Sequence, residues 1–142
     1  MMVKRGRDAI GAAIGLFALI VGSGVCFADT LESGLIGAWT ASAPDCPKIF
    51  ERRGGALAYR QPVDKFAQAV IIAPNQLLLP SAACQVQGVS HENGAIKVNV
   101  ECSDTISYTS ATVQIQVKSG GEIVYSPTGE MSLDTTFVKC HL

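Results

Sequence analysis

One stretch, Cys84 to Cys102, has a pairing register that its own side chains select. Folding it about Glu92-Asn93-Gly94 as a three-residue loop, with Gly94 in the left-handed third position, sets Ser90 opposite Ile96 and Gly88 opposite Val98. Val86 then faces Val100, and Cys84 faces Cys102. One face becomes Val86, Ile96, Val98, Val100 and the two cysteines. The other pairs Gln85 with Glu101, Gln87 with Asn99 and Val89 with Lys97, and is mostly polar. A slip of one residue would mix the two faces. The same register brings the two thiols together, so a Cys84–Cys102 disulfide is predicted.

A second hairpin follows by the same reasoning. With Ser119-Gly120-Gly121 as loop, Lys118 faces Glu122, Val117 faces Ile123 and Ile115 faces Tyr125. Opposite charges beside the turn and matched apolar pairs below it favour that pairing. The strand 109–118 alternates, with Ala111, Val113, Ile115 and Val117 on one side.

The cysteines depend on the compartment. Lys4, Arg5 and Arg7 precede an uncharged apolar run over 10–21, and small residues lead into Cys26-Phe27-Ala28. This is the pattern of a secretory signal cleaved after Ala28, which makes 1–28 a signal peptide and 29–142 the single mature domain. Its rivals are an uncleaved anchor over 9–28 and a lipidated Cys26. Cleavage leaves Cys46, Cys84, Cys102 and Cys140, an even number in a small exported chain, hence two disulfides. With Cys84 joined to Cys102, Cys46 joins Cys140. No C-x-x-C spacing suggests structural zinc.

The remaining texture is β. Strands are expected at 35–40, 56–61, 66–72, 76–79 and 135–140, with one short helix of about two turns between Asp45 and Gly54. A strand over 49–52 competes with that helix. Val70-Ile71-Ile72 and Leu77-Leu78-Leu79 do not alternate, so those strands are expected to be covered on both faces. Seven to nine short strands joined by tight turns imply an all-β domain, an antiparallel barrel or a sandwich. A tie between first and last segments suits a barrel, which leaves no edge exposed.

Chemistry is harder to find. Beyond Ala28 the chain carries 8 Lys and Arg against 11 Asp and Glu, the wrong sign for a general nucleic-acid binder. There is no phosphate loop, dinucleotide fingerprint or metal-ligand spacing, so no cofactor and no metal is expected. His91 and His141 read as solvated. Asp45, Asp64, Glu101 and Asp104 could serve a carboxylate hydrolase only if two of them met in one cleft. Five of the eight cations, Lys48, Arg52, Arg53, Arg60 and Lys65, fall within 18 residues and form a candidate partner-binding patch.

Gly37-Ala38-Trp39 forms a G-x-W arrangement on the first strand. It resembles the opening strand of lipocalins and of bacterial periplasmic metalloprotease inhibitors, both small secreted β-barrels. The likeness spans about six residues. It implies that Trp39 plugs one end of a barrel, and it implies either a carrier of a small apolar ligand or an inhibitor of a hydrolase. The reading that combines these features is an exported, non-enzymatic barrel, periplasmic or extracellular, that binds a protein or envelope component. A lipocalin-like carrier is the alternative.

Overall fold

The computed structural model describes residues 30–129 and 133–142. The expected signal peptide, its anchor alternative and Cys26 lie outside the described residues. Ten strands are described: β1 Gly37–Thr40, β2 Phe50–Arg53, β3 Ala56–Tyr59, β4 Ala69–Ala73, β5 Gln76–Leu78, β6 Ala83–Glu92, β7 Ala95–Ser103, β8 Tyr108–Val117, β9 Glu122–Pro127 and β10 Thr135–Lys139. Eight form a closed antiparallel barrel in the order β1-β10-β9-β8-β7-β6-β5-β4, and β2 and β3 form a separate two-stranded hairpin. From β4 to β10 each strand pairs with the next, and β1 closes the ring between β10 and β4.

The expected helix is shorter than read. A 3-10 turn at Ala43–Asp45 runs into α1, Cys46–Ile49, and the backbone becomes extended at Phe50. The alternative strand reading holds for the second half of the segment. Phe50 is fully buried beneath the hairpin, and Arg52 pairs across it with Leu57. Packing of Phe50 outweighs the helical preference of the charged residues around it.

Two cores explain the runs that fail to alternate. Inside the barrel, Trp39, Val70, Ile72, Leu77, Val98 and Ile115 belong to one cluster. Outside the wall, Ala38, Ala69 and Ile71 pack with Cys46, Phe50 and Cys140 beneath the β2–β3 hairpin. Along β1 and β4 successive residues therefore serve opposite cores, which is why Val70, Ile71 and Ile72 are all buried. The Leu77-Leu78 pair divides in the same way.

Both disulfides form as expected. Cys84 and Cys102 face each other across β6 and β7, with Cα atoms 3.9 Å apart. Cys46–Cys140 ties the start of α1 to the end of β10, across 94 residues of chain. The second hairpin has the expected register, Val117 against Ile123 and Ile115 against Tyr125.

The first hairpin needs a correction near its turn. Cys84 pairs with Cys102 and Val86 with Val100, as read, but Gly88 pairs with Asn99 and Val89 with Val98. The loop has two residues, Asn93 and Gly94, both at positive φ (50° and 77°). Asn-Gly is the preferred sequence for such a turn. Gln87 takes up the slip as a β-bulge, one extra residue on one strand, and the bulge brings Val89 onto the inner face beside Val86.

Candidate functional site

Alternate connections of an antiparallel barrel lie at opposite ends. The lead-in 30–36 and the connections 74–75, 93–94 and 118–121 share one end. There Leu31 and Leu35 lie over Trp39, whose indole N–H donates to the Leu35 carbonyl at 2.8 Å. The connection 41–68 leaves and re-enters the barrel at the opposite end, with its β2–β3 hairpin lying along the outer wall, and 79–82, 104–107 and the β9–β10 connection join strands at that same end.

The five candidate cations do not form one free patch. Lys48 on α1 is paired with Asp45 at 2.8 Å, and this cation holds the Asp45 carboxyl below its ordinary range. Arg53 is paired with Glu51. Arg60 donates to the Pro47 carbonyl at 3.0 Å and lies 3.9 Å from the same Glu51. Arg52 donates to the carbonyls of Leu142 and Gly55. It lines a groove of about 820 Å³ under the hairpin tip, together with Leu57, Ile72, Pro74, Lys139 and His141. Lys48 and Arg60 line a different cleft. Lys65 alone of the five has no hydrogen-bond or ion-pair partner among the described residues. Asp45 and Glu51 thus balance part of the charge of Lys48, Arg53 and Arg60, while Arg52 and Lys65 have no carboxylate partner among the described residues.

That other cleft, about 480 Å³, lies at the opposite end between α1 and the segment 59–68. Two of the acids considered for hydrolysis, Asp45 and Asp64, line it together. Each is already engaged: Asp45 by Lys48, and Asp64 as acceptor from the Phe66 backbone N–H at 3.0 Å. A general acid at neutral pH needs a raised pKa, and Asp45 moves the other way. Glu101 accepts from the Tyr108 hydroxyl, whose pKa rises in consequence. The Asp104 carboxylate accepts from the backbone N–H groups of Ile106 and Ser107, which lower its pKa.

Neither histidine is gathered with two or more further His, Cys, Asp or Glu side chains among the described residues. His91 Nε2 lies 2.8 Å from Glu32 Oε1, a pairing the sequence did not suggest, and His141 borders the hairpin groove. Among the described residues no group of three or more His, Cys, Asp or Glu is gathered in one place. No helix among them is long and apolar enough to cross a membrane.

Sequence reading missed three side chains that stand out in three dimensions. Lys139 on β10 lies over the Trp39 ring, 5.4 Å from its centroid, and donates to the Gly34 carbonyl at 3.1 Å. Phe66 and Ile106 are 94% and 93% exposed, each in a turn tied by an aspartate two residues earlier. The repeated pattern Asp-x-apolar, Asp64-Lys65-Phe66 and Asp104-Thr105-Ile106, was the available signal. Compared with protein-family models, curated proteins and solved structures, the chain matches none.

Proposed function

We propose that the protein is an exported, non-enzymatic barrel that acts by binding a protein of the periplasm or extracellular space, in the manner of a hydrolase inhibitor. The observation that carries this reading is the close packing of side chains at the middle of the barrel. Val70, Leu77, Val98, Ile115 and Ile123 are each 0% exposed, and the cleft of about 420 Å³ at the lead-in end, beside Leu35, Trp39, Ile123 and Lys139, is open rather than enclosed. A carrier needs an internal cavity of several hundred Å³. An eight-stranded barrel is narrow enough for side chains to close it. Binding then falls to the outer surface. Two disulfides support an oxidising compartment, and the basic and apolar start of the chain supports export. The G-x-W resemblance fits a binding barrel, carrier and inhibitor alike.

Native mass spectrometry of the protein recovered from its secreted or periplasmic fraction tests the reading. The expected species is a chain beginning at Asp29 with all four remaining thiols oxidised, alone or with a protein attached. One equivalent of a small apolar molecule retained on the chain would overturn it in favour of the carrier.

A further inference from the structure

Strand register fixes which side chains are neighbours on the outside of the barrel wall. Between β7 and β8, Asn99 pairs with Thr112 and Glu101 with Ser110. On the β6 side Gly88 pairs with Asn99, next to the bulged Gln87, and on the β9 side the Thr128 N–H donates to the Thr112 carbonyl at 2.8 Å. Gln87, Asn99, Glu101, Ser110, Thr112 and Thr128 line one shallow groove of about 410 Å³ across this wall. The Thr112 hydroxyl donates to Asn99 Oδ1 at 3.0 Å, which orients that amide. The Asn99 N–H donors, the Gln87 amide and the Ser110 hydroxyl have no protein partner among the described residues. Tyr108 lies two residues before Ser110 on the same face. It is 66% exposed, and its hydroxyl donates to one oxygen of Glu101, which holds the ring at the edge of the groove.

The chemistry of the lining selects the occupant. The groove holds one carboxylate and no Lys or Arg, so it disfavours phosphate and sulfate groups. The cation next along β7, Lys97, is paired with Glu92 at 3.3 Å, and Asp104 beyond Tyr108 accepts from its own loop. A hard divalent cation takes six or more oxygen ligands, and here one carboxylate stands alone. A protein partner needs an apolar centre to bury, and the apolar lining, Val100 and Ala111, already belongs to the barrel core. Amides, hydroxyls and one carboxylate beside an exposed aromatic ring suit a polyol. Sugar hydroxyls both donate and accept, and the C–H face of a sugar ring packs against an aromatic face. We propose that this outer face binds a neutral saccharide chain, with Tyr108 as the stacking platform and Gln87, Asn99 and Glu101 as hydroxyl partners. The site goes beyond the protein-binding role and stands or falls separately from it.

The test titrates the isotope-labelled protein, its disulfides formed, with maltotetraose, cellotetraose and tetra-N-acetylchitotetraose, and with a sulfated heparin tetrasaccharide as the anionic counterpart. Additions run to about 5 mM, the range of weak single-site binding. A neutral probe is expected to shift the side-chain amide signals of Gln87 and Asn99 and the backbone amides of Ser110 and Thr112, and the sulfated probe is not. Asn99→Asp keeps the oxygen that Thr112 uses and removes the N–H donors. That variant and Tyr108→Ala should each weaken binding about tenfold, whereas Gln116→Ala, on β8 outside the groove, should leave it unchanged. Asn99 and Tyr108 are both exposed, so thermal unfolding of the variants should match the parent. No shift with any neutral probe, shifts confined to other surfaces, binding of the sulfated probe alone, or variants that bind like the parent would each overturn the proposal.

Discussion

Trp39 joins the first strand, the lead-in and the last strand through one side chain. It is 3% exposed, donates to Leu35 and carries Lys139 over its ring. Trp39→Ala should lower stability by about 3–5 kcal/mol through cavity formation, read from urea unfolding. Trp39→Phe should recover most of that and still lose roughly 1 kcal/mol for the unpaired Leu35 carbonyl. Two residues before it, Gly37 sits at φ 145°, and a Cβ there would come within 2.9 Å of the Lys139 side chain. The glycine and tryptophan of the G-x-W pattern thus meet the same lysine. Buried phenols set the alkaline limit. Burial pushes the Tyr125 hydroxyl up to about 12 and raises Tyr59 as well, against an ordinary value of 10.0. The unfolded chain therefore releases these protons first. Their contribution is intact below pH 10 and is lost as pH rises toward 12, at up to about 1.4 kcal/mol per pH unit for each group. Unfolding midpoints measured from pH 8 to 11.5 should show the fall, and Tyr125→Phe should flatten it.

The two long hairpins mark where sequence logic holds and where it stops. Register in 108–127 is legible because the opposite charges of Lys118 and Glu122 and the apolar pairs below them point to the same alignment, in which the Lys118 N–H donates to the Glu122 carbonyl. In 83–103 the same logic finds Cys84 against Cys102 and then fails at Gly88, because a bulge lets one strand change register without disturbing the far end. Sorting side chains into two faces assumes strict alternation, and Gln87 breaks it. The α1–β2 segment failed for another reason. The helix starts beside Asp45 and Pro47 as read, but Asp45 makes no side-chain cap hydrogen bond, and the end depended on Phe50 finding a core that sequence periodicity could not show. Of the candidate site, the basic cluster was legible as composition only. Its division among separate partners, with Lys48 on Asp45, Arg53 and Arg60 on Glu51 and Arg52 on backbone carbonyls, needed three dimensions. Asn93→Ala places an alanine at a φ of 50° and should destabilise by about 1 kcal/mol, with amide exchange rising first in the β6–β7 turn. Asp104 acts on the acid side. Its carboxyl is held below the ordinary 3.8 by the N–H groups it accepts. The loop 104–107 is therefore braced above that pH and should loosen as pH falls through the lowered value, visible as declining backbone order parameters at Ile106 and Ser107.

At the scale of the whole molecule, the two bridges have different tasks. On the chain-entropy account, Cys84–Cys102 contributes about 3 kcal/mol and Cys46–Cys140 somewhat above 4. Replacing Cys46 and Cys140 together with serine should lower the urea midpoint more than replacing Cys84 and Cys102, and should free the β2–β3 hairpin from the wall. The barrel closes on itself and buries a second core outside its wall, beneath the β2–β3 hairpin. The close packing of the interior is the claim on which the functional reading turns, and methyl NMR of the protein saturated with a medium-chain fatty acid examines it most directly. The methyl resonances of Val98, Ile115 and Ile123 are expected to stay where they are. Shifts concentrated on those three side chains would mean that the barrel opens to hold a ligand, and would contradict a binding role confined to the exterior.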